Sequence, residues 1–348
     1  MSLHARLPVA LAFIMLVGGY PASHGPRPAD ATGATAPSRL SATPADSPPG
    51  GVSPDAARPA FSPLPPNHLG RIPVLEYHLI SDHDALYSRT RDTFRKELAE
   101  VYARGYRPIT MAQLLDKDFS DVPVGMSPVV YTFDDASPSQ FRYIETNGQL
   151  DIDPESGIGI WLAFAKSHPD WKGKAVFCML NGGSDGHNFF GDGPNKGVVP
   201  KAYEGQRRAW RFLKVKWLAD NGFELCDHTL WHAQLSKYSD AVVQEQIARN
   251  LMGIDSAVPG YTVRTMALPL GEWPKNHQLA WAGMWTDPKS GKTITYHFDD
   301  VLEVAGGPTR SPYDPKFDPH SIARVEMNGD QLVRALDQMD RTKTRFVR

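Results

Sequence analysis

The feature that most constrains the fold is a series of short, nearly continuous apolar runs. They lie at residues 72–78, 128–133, 174–180, 223–226, 264–268, 293–298 and 322–325, and several end abruptly in polar residues. Strands that are apolar on both faces belong in a parallel sheet covered on both sides. Helical patterns lie between them. Phe94, Leu98, Val101 and Tyr102 recur at helical spacing over residues 93–104, and Gly105 ends the run. Residues 206–219, ended by Asn221-Gly222, and residues 240–251 and 331–339 are further helices. The number of strand–helix units suggests an α/β fold of the distorted (β/α) barrel kind with fewer than eight strands. An open doubly wound sheet is the alternative. Residues 148–170 and 181–197 read as insertions around one rim, and no internal repeat is visible.

The N-terminal region stands outside that pattern. Residues 1–24 read as a signal peptide. Arg6 precedes the apolar run 8–17, and small residues such as Gly18, Gly19, Ala22 and Ser23 follow. The run is shorter than the roughly 20 residues a membrane helix needs. The expectation is a secreted or periplasmic protein that meets a membrane only if this segment is uncleaved. Residues 25–70 read as a disordered Pro/Ala/Ser-rich linker, since residues 21–70 hold 12 of the 30 prolines. Residues 71–348 are the expected catalytic domain. A net charge of -2 without a long basic run does not indicate a nucleic-acid surface. Export would permit a disulfide between the two cysteines, Cys178 and Cys226. Each sits in an apparent core strand, however, and the reading is two free buried thiols.

In parallel α/β folds, functional groups gather where strands end. Three polar groups do so here: Thr132-Phe133-Asp134-Asp135, Asp227-His228-Thr229-Leu230-Trp231-His232, and Leu268-Pro269-Leu270-Gly271. If the turn after the strand is helical, His228 and His232 point the same way. Two imidazoles and one carboxylate make a three-ligand metal site with room for water. Adjacent carboxylates cannot face one ion equally, so one of Asp134 and Asp135 would ligate and the other take a proton.

These runs resemble motifs of the polysaccharide deacetylase family, which includes chitin, peptidoglycan and poly-N-acetylglucosamine deacetylases. Tyr131–Asp135 is similar to the first motif, Asp227–His232 to the second, and Leu268–Gly271 to a degenerate third. The resemblance covers most of residues 71–330. It implies a distorted barrel in which Asp135, His228 and His232 bind a divalent metal, usually zinc. Asp134 would be the general base, and the backbone N–H of Leu270 would stabilise the oxyanion. An acetylated polysaccharide would be the substrate, with hydrolysis of an N-acetyl group the reading preferred. An O-acetyl esterase or a non-catalytic glycan-binding relative are the alternatives.

The sequence departs from the family pattern in two places. The Arg that steadies the base in many members has no counterpart near Ala267, and Arg264 is a distant substitute. No plain Leu-x-His supplies the late proton donor; His320 is the nearest candidate and His297 the second. Trp231 reads as a sugar platform or a buried ring, and Trp273, Trp281 and Trp285 as groove or core. Tyr77-His78 reads as a packed pair on the barrel floor rather than a catalytic one.

Overall fold

The computed structural model describes residues 61–183, 187–191, 206 and 208–348. The signal peptide read at residues 1–24, and the linker up to residue 60, lie outside the described residues. Residues 61–70, read with that linker, are tied to the domain: the Leu64 N–H donates to the Gly125 carbonyl and the Asn67 N–H to the Val347 carbonyl.

Seven strands close into a parallel barrel: β1 (Val74–Tyr77), β2 (Ser127–Phe133), β3 (Val176–Met179), β4 (Glu224–Asp227), β5 (Thr265–Ala267), β6 (Asp300–Gly306) and β7 (Ile322–Glu326). Each pairs with the next in the chain, and β7 closes on β1. Side chains alternate along each strand. Val74, Val130, Val176, Cys178, Cys226, Ala267, Leu302 and Ile322 meet in one cluster that fills the barrel. Leu75, Tyr77, Tyr131, Phe133, Phe177, Leu225, Met266 and Val301 belong to a second cluster with apolar residues of the surrounding helices. Those helices are α1 (Arg91–Ala103), α2 (Gly157–Ser167), α3 (Arg211–Asp220), α4 (Asp240–Ala257) and α5 (Gln331–Thr342).

Burial on both faces is why the strands read as continuous apolar runs, and the barrel was correctly expected from them. The strand expected at 293–298 exists as Thr293–His297, but it pairs antiparallel with Ala282–Thr286 in a hairpin outside the barrel. The sixth barrel strand is β6, whose flanking Asp299-Asp300 and Gly306-Gly307 resemble turn sequence. No α-helix lies between β5 and β6 or between β6 and β7, which distorts the barrel on that side.

The free-thiol reading of the cysteines is corrected. Cys178 and Cys226 form a disulfide. Parallel register sets them directly opposite each other on β3 and β4, and both face the barrel interior with Cα atoms 4.4 Å apart.

Candidate active site

The carboxyl ends of the strands enclose a cavity of about 200 Å³, lined by Glu76, His78, Asp134, Asp135, His187, His228 and His232 and by apolar residues including Leu79, Tyr87, Leu268, Leu270 and Val304. Typical ligand pockets run to about 300–1,000 Å³. This one takes a small group, with any larger molecule lying across its mouth.

Strand alternation explains which groups face inward. Asp134 continues the inward parity of Val130 and Thr132, and His78 that of Val74 and Glu76. Strand pairing then sets the two ends side by side: the Asp134 N–H donates to the Tyr77 carbonyl at 2.9 Å. Gln140 Nε2 donates both to the His78 carbonyl (2.8 Å) and to the Asp134 carbonyl (2.5 Å). Tyr77 points the other way and donates its hydroxyl to Glu97 on α1. The pair Tyr77-His78 is thus divided between core and cavity, and His78 does not sit on the barrel floor.

The turn carrying the two histidines is not helical, contrary to the spacing argument. Thr229 and His232 have positive φ, 69° and 63°. Asp227 braces the turn by accepting from the Thr229 N–H (2.7 Å) and from Asn250 Nδ2 (3.1 Å), and the Ala233 N–H donates to Thr229 Oγ1 (3.2 Å). The result still brings the two imidazoles together, with centroids 5.0 Å apart. Asp135 (φ 75°), Ala136 (45°) and Leu270 (58°) are also left-handed. Non-glycine residues rarely hold this conformation, at about 1–3 kcal/mol each. Three of them, Asp135, His232 and Leu270, line the cavity, and Ala136 and Thr229 adjoin Asp135 and His228 in sequence, so the backbone stores strain where the polar groups converge.

Asp135, His228 and His232 each offer a ligand atom within 4.8 Å of the others. His228 Nε2 lies 3.3 Å and His232 Nε2 3.6 Å from Asp135 Oδ1. The Nδ1 of His228 is 2.9 Å from the Ala267 carbonyl, an acceptor that fixes the proton on Nδ1 and turns Nε2 toward the carboxylate. Both His228 Nε2 and Asp135 Oδ1 are buried without a hydrogen-bond partner. Orphaned donor atoms converging on one point are what a divalent cation satisfies, and two nitrogens with one carboxylate oxygen suit zinc. The residues therefore fit the metal that the sequence resemblance implies.

The charges agree with that fit. Burial opposes ionisation of Asp135, yet the close imidazoles of His228, His78 and His232 hold its carboxyl far below the usual range. Burial also works against the charge on His228, but the two aspartates override it and push its pKa up to about 9. Burial and the nearby His228 push His232 down to about 4. The field that draws a proton to His228 is the field a divalent cation would meet, and the cation would displace that proton.

Asp134 is separated from this set by its partner. Arg324 of β7 grips it with Nη1 2.9 Å from Oδ1 and Nη2 2.8 Å from Oδ2. Arg324 is fully buried and also donates to Glu76 Oε1 (2.6 Å), Thr132 Oγ1 (3.0 Å) and the Glu303 carbonyl (2.5 Å). Burial would raise the Asp134 pKa, but the guanidinium keeps it below the ordinary carboxylate range. Burial pushes Glu76 up to about 8 despite the same arginine. One carboxylate beside the ligand set is thus held ionised.

The remaining residues named from the sequence fall as follows. Leu270 lines the cavity and its side chain is largely exposed at the rim. His320 precedes β7, at the end of the barrel away from the cavity, and stacks on Trp281 with centroids 4.4 Å apart. The structure does not bring it to Asp134: a residue before a parallel strand lies at the opposite end from one after it. His297 is exposed on the hairpin beside Asp299. Arg264 precedes β5 and pairs with Asp116 and Asp299 far from the base. Trp231 is exposed, while Trp273 and Trp281 pack partly against the core. Three residues of the site were missed or misplaced: Arg324, behind the cavity wall, whose signal was an arginine at an inward position of an apolar strand; His78, whose signal was its parity with Val74 and Glu76; and His187. The last comes from the insertion at 181–197, with Nδ1 3.7 Å from Asp135 Oδ2, and no periodic pattern announces it.

A polysaccharide deacetylase family model matches residues 174–284. Among solved structures, the chain is similar to the deacetylase PplD of Streptococcus pyogenes, solved with acetate, at 15% identity and a TM-score of 0.50, covering 77% of this chain and 98% of that one. IcaB from Ammonifex degensii is similar at 16% identity and a TM-score of 0.50, covering 76% and 95%. At these identities the likeness carries the fold. No curated protein matches the sequence.

Proposed function

We propose that this chain, in which a polysaccharide deacetylase family model matches residues 174–284, hydrolyses N-acetyl groups on an aminosugar polymer, giving acetate and a free amine. The observation that carries this reading is the placement, in one small cavity, of a three-residue ligand set, an ionised carboxylate outside that set and a histidine beside it.

A divalent ion, most simply zinc, held by Asp135, His228 and His232 would supply Lewis acidity to the attacking water and the acetyl carbonyl. Asp134, kept ionised and oriented by Arg324, takes a proton from that water. The backbone N–H of Leu270, at the cavity rim, donates to the oxyanion as the carbonyl becomes tetrahedral. The C–N bond then breaks, and the nitrogen needs a proton to leave. His78 supplies it: its ring nitrogen lies within 4.8 Å of the carboxylates of Asp134 and Glu76. Burial lowers the His78 pKa and leaves the ring neutral at rest, so Asp134 passes the proton taken from water to His78 and His78 hands it to the nitrogen; one water is consumed and no net proton is left on the protein. His78 takes the donor role given to His320 in the sequence.

The export-like N-terminus and the buried disulfide support an extracytoplasmic setting, where glycans of this kind lie and disulfides persist. Acetate release from an N-acetylglucosamine oligomer and an O-acetylated hemicellulose tests the substrate. The N-acetyl compound should be hydrolysed, and His78→Ala should slow it about 10²–10⁴-fold while sparing p-nitrophenyl acetate, whose leaving group needs no proton. Turnover of the O-acetyl glycan alone would favour the esterase reading, and turnover of neither a binding role.

A further inference from the structure

The loop after β1 displays two large apolar side chains beside the catalytic cavity. Leu86 is 58% exposed and Tyr87 48% exposed. Polar and apolar atoms are normally the other way round on a free loop, and such display marks a contact surface. The loop does not present them through disorder. Leu79–Ser81 pairs with Ser88–Thr90, and the Leu79 N–H donates to the Tyr87 carbonyl at 3.0 Å. Ala85 and Ser88 exchange backbone hydrogen bonds. Ser88 Oγ donates to the His83 carbonyl (2.8 Å), the Thr90 N–H donates to Asp84 Oδ1 (2.8 Å), and Asp82 pairs with Arg91 at the start of α1. The polar groups brace the loop from within, and the apolar ones face out.

Tyr87 also belongs to the cavity. Its ring lies against the imidazole of His78, with centroids 4.8 Å apart and planes inclined at 55°, and both line the cavity with Leu79. An aromatic ring half open to water at the mouth of a pocket too small for a polymer matches the C–H face of a pyranose. Sugar rings present such faces, and a rigid aromatic ring binds them at little entropic cost.

We propose that Tyr87 is the platform on which the sugar bearing the acetyl group rests, and that by packing on His78 it sets the proton donor against that sugar's nitrogen. This rests on the reading of the site as a glycan N-deacetylase. Tyr87 is a specificity-determining and positioning residue, and Leu86 extends its surface along the polymer.

The test compares Tyr87→Ala, Tyr87→Phe and Tyr87→Trp on an N-acetylglucosamine oligomer and on p-nitrophenyl acetate, with zinc binding followed by calorimetry. Tyr87→Ala should raise KM for the oligomer about 3–10-fold and lower its kcat as well, because His78 loses the ring that positions it. It should leave kcat/KM for the small ester and the zinc affinity within about twofold of wild type, because neither uses a sugar platform or a proton donor. Tyr87→Phe and Tyr87→Trp should restore the oligomer KM, since the ring face and not the hydroxyl carries the contact. Equal losses on both substrates, or an unchanged oligomer KM in Tyr87→Ala, would overturn the proposal while leaving the deacetylase reading standing. Wild-type protein that binds zinc but releases no acetate from the oligomer would overturn the deacetylase reading first and this proposal with it.

Discussion

Arg324 and Asp134 meet edge to edge inside the barrel, guanidinium against carboxylate, through two hydrogen bonds of 2.9 and 2.8 Å. They lie 190 residues apart in sequence and two strands apart around the barrel, on β7 and β2. Only barrel closure, β7 onto β1 and β1 onto β2, brings them together.

That pairing sets the first expectation. Arg324→Lys keeps a positive charge but cannot grip both carboxylate oxygens. Deacetylation should lose about 10–100-fold in kcat with KM little changed. The Asp134 pKa, held low by the guanidinium, should rise, so the acidic limb of the pH–rate profile moves to higher pH. A profile unchanged in shape, in a variant that melts like wild type, would remove Arg324 from the mechanism.

The disulfide gives a stability expectation. Cys178 and Cys226 are 48 residues apart, and their bond restricts the unfolded chain. The double variant Cys178→Ala/Cys226→Ala should lose about 2–4 kcal/mol in denaturant unfolding. Both sulfurs are inaccessible to solvent, so reductant added to the folded protein should leave activity intact. Loss of activity within minutes of adding reductant would show that the bond is reached in the native state.

At the opposite end of the barrel, Asp300 is fully buried with neither carboxylate oxygen hydrogen-bonded. Burial, and then the charge of nearby Glu224, push its pKa well above the ordinary value. The folded state therefore holds a proton that the unfolded state has released, and stability falls as pH rises from about 4 toward the folded pKa. Asp300→Asn removes that dependence. It should raise the melting temperature at pH 7 and do so much less at pH 4. An equal shift at both pH values would contradict the assignment.

What was legible in the sequence was what local pattern determines. Apolar runs buried on both faces announced the parallel strands, and the polar clusters after Phe133, Asp227 and Leu268 announced where strands end. What was not legible depends on register and closure. Cys178 facing Cys226 needs the pairing of β3 with β4. Arg324 reaching Asp134 needs β7 to close on β1, and β6 was hidden because its ends look like turns. His78 was legible in principle, because its parity with Val74 and Glu76 turns it inward. The neighbouring Tyr77, which turns outward, masked that signal. His320 drew attention by its place late in the chain, but it precedes its strand, and position before or after a strand decides which end of a barrel a side chain occupies.

The most direct measurement is acetate release from an N-acetylglucosamine oligomer by protein stripped with chelator, then restored with increasing zinc. Release should vanish on stripping and return in full at about one equivalent of metal per chain, as one site built from Asp135, His228 and His232 requires. Release that persists after the metal is gone would contradict it, as would a protein that binds one zinc and still releases no acetate.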